Sequence, residues 1–149
     1  VVVKNWFPRV EPFISVPRPL GYVIPRERWA VVETLIKHRL QVYVLEKGGV
    51  VPVEAYQIGD IVPAEYDYLP PQKIEVTTKK LNLPVKKGDF FIPVAQEGAS
   101  LIPCLLEPQS QYGFIRYWKY HLVPEKGDIF PIYRVVEQLA IPMIPFKDW

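Results

Sequence analysis

Gly21-Tyr22-Val23-Ile24-Pro25, running on into Arg26 to Arg39, is the stretch on which the fold turns. Tyr22, Val23 and Ile24 are strand formers, and Pro25 ends the run because proline has no N–H to give to a sheet ladder. Proline is well tolerated in the first turn of a helix. From Trp29 the apolar positions Trp29, Val32, Leu35 and Ile36 recur at helical spacing, with Arg28, Glu33 and Lys37 on the outer face. The spacing predicts a strand that hands over to a helix. His38 falls at its end, where the negative pole of the helix dipole favours it. A looser echo returns as Asp89-Phe90-Phe91-Ile92-Pro93, followed by an expected helix over Gln96 to Leu106 with Pro103 as an irregularity and Pro108 closing it.

Outward from these two units, Trp6 to Pro19 carries four prolines and reads as an extended lead-in along a sheet edge. After the helix, Leu40 to Leu45 is β-rich. Lys47-Gly48-Gly49 is a turn, and Val50 to Tyr56 is a second strand, so a hairpin is expected there. Gly59-Asp60 and Pro70-Pro71 punctuate the middle, with the loop Glu65-Tyr66-Asp67-Tyr68 between them. Lys73 to Lys80 alternates Ile74, Val76 and Thr78 against Lys73, Glu75 and Thr77, the pattern of a half-buried strand. Gly127-Asp128 opens a last segment to Leu139 with the character of a short helix.

At 149 residues the chain fits one domain, 1–149, with enough length for a real core. Its 17 prolines exceed the average of about 5% and are spread through the chain, which suits short strands with stiff corners. The expected architecture is α+β, a mostly antiparallel, β-sandwich-like sheet with two or three packed helices. A formal charge of +2 gives no electrostatic reason to expect nucleic acid as a partner. No apolar run approaches the ~20 residues of a membrane span. With one cysteine, Cys104, no disulfide forms within the chain, and its apolar surroundings predict a buried thiol.

Catalytic patterns are sparse. His38 is followed three residues on by Gln41 and His121 by Pro124, so neither forms a zinc-binding pair, and there is no third histidine. Ser15, Ser100 and Ser110 stand in no nucleophile pattern. Glu65 with Asp67, or Glu97 with Glu107, offers paired carboxylates without an evident apolar pocket to shift them. Gly88, Gly98 and Gly113 make no phosphate loop. Tyr112 to Tyr120 interleaves aromatics with Arg116 and Lys119 and has two readings. One is a surface for stacking on sugars or peptide side chains. The other is a buried helical stripe, Phe114-Trp118-Leu122, packed on the sheet.

The run Pro19 to Pro25, Trp29, and then Val32, Leu35 and His38 before a strand resembles the C-terminal accessory domain of bacterial carboxypeptidase A-like zinc metallopeptidases. Later pieces are similar in the same order. They are Gly88-Asp89-Phe90-Phe91-Ile92-Pro93, Gln96, Leu105-Leu106-Glu107-Pro108, and Ile132-Tyr133 with Glu137. Arg39 stands where the family has glycine after the helix-ending histidine, and Glu65 to Tyr68 lacks the family's Glu-Gly-His.

The resemblance implies a non-catalytic C-terminal fragment of a longer, secreted or periplasmic metallopeptidase. It would pack on the preceding catalytic domain, with zinc in that domain and no cofactor in this one. The residues expected at the interface are Tyr66, Tyr68, Tyr112, Phe114, Tyr117 and Trp118, since exposed aromatic clusters mark interfaces. Alternatives are a glycan- or peptidoglycan-binding module using the same aromatics, and a small hydrolase with Glu65 or Asp67 facing Glu97 or Glu107.

Overall fold

The computed structural model describes residues 14–65, 71, 73–122 and 125–147. In chain order these form β1 (Gly21–Ile24), α1 (Trp29–Lys37), β2 (Tyr43–Leu45), β3 (Gly49–Val62), β4 (Lys73–Val85), β5 (Phe90–Pro93), α2 (Leu101–Leu106), β6 (Tyr133–Val135) and β7 (Met143–Pro145). Single 3-10 turns cover Arg26–Arg28, Phe114–Arg116 and Trp118–Tyr120. The strands make one antiparallel sheet in the order β4-β3-β6-β1-β5-β2-β7. The class is α+β and mostly sheet, as the spacing of the sequence leads one to expect. Among the described residues no helix is long and apolar enough to cross a membrane.

The two strand-to-helix units are neighbours at the centre of the sheet. β1 and β5 pair antiparallel, with Gly21 opposite Pro93, Tyr22 opposite Ile92 and Ile24 opposite Phe90. Asp89 joins them further, since its carboxylate accepts the Arg26 and Lys86 N–H groups at 3.1 and 2.7 Å. Gly21 is needed for this pairing. A Cβ there would lie 2.5 Å from the Phe91 ring and 2.6 Å from the Ile92 carbonyl oxygen.

Alternation along the strands sends two apolar sets to opposite faces. Tyr22, Ile24, Ile58, Phe90 and Ile92 join Val32 and Leu35 of α1 and Ile102 and Leu106 of α2 in the larger cluster. Val23, Leu45, Val51, Val53, Phe91 and Val135 form the smaller one. Leu81 and Leu83 from one edge strand and Met143 from the other pack against this second cluster, so the sheet curls around it.

α1 ends in a Schellman motif. The Leu40 N–H donates to the Leu35 carbonyl at 3.1 Å and the Arg39 N–H to the Ile36 carbonyl at 2.7 Å. Arg39 takes the left-handed conformation, φ 60°, at the position that favours glycine. Leu35 and Leu40, the apolar pair of this motif, both lie in the larger cluster.

Several expectations are corrected. β2 and β3 do not form a hairpin. β2 pairs with β5 and β7, and β3 pairs with β4 from Gly49 opposite Val85 to Val62 opposite Lys73. That longer ladder satisfies more backbone groups than a short hairpin would. Gly59-Asp60 does not interrupt the strand. It lies inside β3, where the register shifts between Ile58 and Ile61 as a bulge. The helix expected from Gln96 starts only at Leu101. The Gln96 side chain binds the Gln41 backbone N–H and carbonyl and the Pro93 carbonyl, and Gly98 turns the chain at φ 75°. Pro103 then falls in the first turn of α2, where no intrahelical donor is required. No helix forms between Gly127 and Leu139. β6 is inserted there between β3 and β1, after Phe130 and Ile132 enter the core.

Candidate interaction surface

The segment after α2 is irregular because polar side chains bind its backbone. Ser110 Oγ donates to the Cys104 carbonyl at 2.6 Å and accepts the Tyr112 N–H at 3.2 Å. Arg116 Nε donates to the Ser110 carbonyl at 2.7 Å, and its Nη1 donates to the Pro71 carbonyl. Gly113 packs so closely that a Cβ would lie 2.7 Å from the Glu107 carbonyl oxygen. The continuous helical stripe is therefore absent. Two 3-10 turns are separated by Tyr117 in extended conformation and closed by His121 in the left-handed region, φ 49°.

This break decides which aromatics face outward. Tyr112, Tyr117 and Trp118 are 66%, 45% and 67% exposed. Phe114 is 3% exposed, with its ring centroid 4.2 Å from that of Tyr120. Phe114 is thus a correction to the expected interface: it supports the surface from below and offers no contact to a partner. Tyr66 and Tyr68, also expected there, lie outside the described residues. Tyr120 is held by its hydroxyl, which donates to Thr34 Oγ1 of α1 at 3.3 Å, and Arg28 Nη1 donates to the His121 carbonyl at 2.9 Å. Lys119 Nζ lies 4.7 Å from the centre of the Tyr120 ring.

A second constellation, one the sequence reading missed, is buried beside the segment. The Tyr22 hydroxyl donates to Glu107 Oε1 at 2.7 Å. Arg134 Nε lies 3.2 Å from the same oxygen, and Nη1 donates to Glu54 Oε2 at 2.7 Å. Arg134 Nη2 donates to the Pro17 carbonyl, which fastens the lead-in to the core. The Tyr56 ring lies 5.6 Å from the guanidinium, and the Tyr56 hydroxyl is buried without a hydrogen-bond partner among the described residues. Burial first, and then the charge of Glu107, push the Tyr22 and Tyr56 hydroxyls well above the ordinary tyrosine range. Both hydroxyls therefore stay protonated through the neutral range. A lone arginine inside the apolar run Ile132 to Val136 was the signal available in the sequence.

The remaining candidates are dispersed. Glu65 and Glu97 are exposed, while Glu107 is buried in its pair with Arg134, and Asp67 is outside the described residues. Cys104 is exposed, contrary to expectation, because α2 turns Ile102 and Leu106 inward and Cys104 out. His38 caps α1 and is exposed. Among the described residues no three histidine, cysteine or acidic side chains are grouped to hold a metal.

The chain is similar to the tyrosine-protein phosphatase Lar of Drosophila melanogaster, 30% identical over 119 residues. The match covers 78% of this chain and 6% of that protein, so the chain spans only a small part of its relative. No family model matches the chain, and no solved structure does.

Proposed function

We propose that this chain is a non-catalytic accessory domain of a zinc carboxypeptidase-like metallopeptidase, packing on the catalytic domain that precedes it. The observation that carries the reading is that Tyr112, Tyr117 and Trp118 stand exposed on a segment that the buried side chains of Phe114, Ile115, Arg116 and Tyr120 hold to the core. Exposed aromatic side chains lose little conformational entropy on contact and bury much area. The residues behind the family resemblance also have structural work here, which supports a scaffold role. Asp89 and Gln96 clamp backbone between elements, and Glu107 receives Tyr22 and Arg134. On this reading zinc and the hydrolytic groups belong to the preceding domain, and the parent protein is secreted or periplasmic. The similarity to a phosphatase adds no activity, because the matched segment is 6% of that protein.

The test compares the parent polypeptide with and without this segment, by peptidase rate and unfolding midpoint, and then adds the chain back in trans. A midpoint that falls on truncation and returns on addition is the expected result. If neither quantity moves, the reading is wrong, and binding of the isolated chain to peptidoglycan fragments decides for the glycan module.

A further inference from the structure

We infer that the Tyr112–Trp118 surface docks on a partner face whose apolar centre is rimmed by carboxylates. This rests on the accessory-domain reading and names the chemistry of its partner surface, the preceding domain.

From Pro108 to Leu122 the chain contains no aspartate or glutamate, while Arg116 and Lys119 fall within it. Arg28 is brought to the same place by its bond to the His121 carbonyl. Glu107, the acid that flanks the segment on its N-terminal side, is buried and engaged by Tyr22 and Arg134, so its charge is spent inside the fold. Glu33 on α1 is likewise paired, with Lys37 at 2.9 Å. Arg116 is 9% exposed and its two bonds go to neutral carbonyls of Ser110 and Pro71, which leaves its charge without a carboxylate among the described residues. A cation held close under the surface in poorly solvated surroundings keeps a positive potential there. Exposed Trp118 and Tyr112 supply the apolar contact, and the cations of the same segment, Lys119 and Arg116, with Arg28 held to it, select for acidic groups and against basic ones.

The test uses the full-length parent and the isolated chain, each as wild type, Lys119→Glu, Lys119→Arg and Trp118→Ala, followed by thermal unfolding at low and high salt. Lys119→Glu is expected to lower the first transition of the parent by roughly 2–4 °C at low salt, with the loss shrinking at high salt. Lys119→Arg is expected to behave as wild type, and the isolated chain is expected to be unaffected by either. If Trp118→Ala lowers the parent's transition while Lys119→Glu does not, the carboxylate rim is refuted and the accessory-domain reading stands. If neither substitution moves it, both fail. A fall in the isolated chain as large as in the parent makes Lys119 a structural residue and also overturns the inference.

Discussion

Arg134 on β6 and Glu107 beyond α2 meet as an ion pair inside the larger core, Nε to Oε1 3.2 Å, with side chains 4% and 9% exposed. With Glu54 also on the guanidinium, two carboxylates share one cation. Removing that cation leaves both acids uncompensated, so Arg134→Met is expected to cost about 3–5 kcal/mol in urea unfolding. Glu107→Gln keeps an acceptor for Tyr22 and leaves Arg134 paired with Glu54. Its expected cost is smaller, about 1–2 kcal/mol. The reverse order of the two losses contradicts this account of the cluster.

At the centre of the sheet, Gly21→Ala places a methyl group against the Phe91 ring and the Ile92 carbonyl. The ring can shift but the carbonyl belongs to the paired strand. A loss of about 1–3 kcal/mol is expected, and Phe91→Leu in the same chain restores only part of it. Complete rescue means that the backbone contact is unimportant.

Arg39 is the opposite case. Its left-handed conformation strains a residue with a Cβ, while the hydrogen bonds of the Schellman motif are all made by backbone. Arg39→Gly is expected to raise the unfolding free energy by about 0.5–1 kcal/mol, after the greater freedom of glycine in the unfolded chain is offset. A decrease in stability shows instead that the arginine side chain contributes a contact of its own.

Alkaline pH probes the two buried tyrosines. Tyr22 and Tyr56 hold their protons in the folded state well above the ordinary value of 10.0, through burial and the neighbouring Glu107. Tyr133 is raised in the same direction by burial. Folded values above unfolded ones mean that the stabilisation is fully present below about pH 10. It is lost as pH rises further, because these hydroxyls ionise there only in the unfolded chain. Urea midpoints are expected to hold to about pH 9 and fall steeply beyond about pH 10. Phenolate absorbance of the native protein is expected to account for fewer than the nine tyrosines until unfolding. A native spectrum in which all nine ionise near the ordinary value rules out the buried cluster as described.

Local order was legible in the chain to a useful extent. The β1–α1 unit, the strand from Lys73 and the strand from Phe90 follow from spacing, as does the antiparallel α+β class. These are properties of a single segment, in which alternation or helical recurrence records which side faces the core. The two short apolar runs around Gln96 and Ile132 misled for the same reason. A short run has too little period to separate helix, strand and loop, and the Gln96 clamp and the place between β3 and β1 come from residues far away.

By itself, then, the sequence determined that strand and helix alternate early in the chain, that proline breaks its elements, and that aromatics crowd one late segment. Tertiary structure alone decided that β2 turns from β3 to β5 and β7, that Arg134 gathers Glu54, Glu107 and Pro17, and that Phe114 goes in while Trp118 stays out. The physical reason is that pairing, charge burial and exposure depend on contacts between residues dozens of positions apart, and a local pattern carries no record of which distant partner will satisfy it.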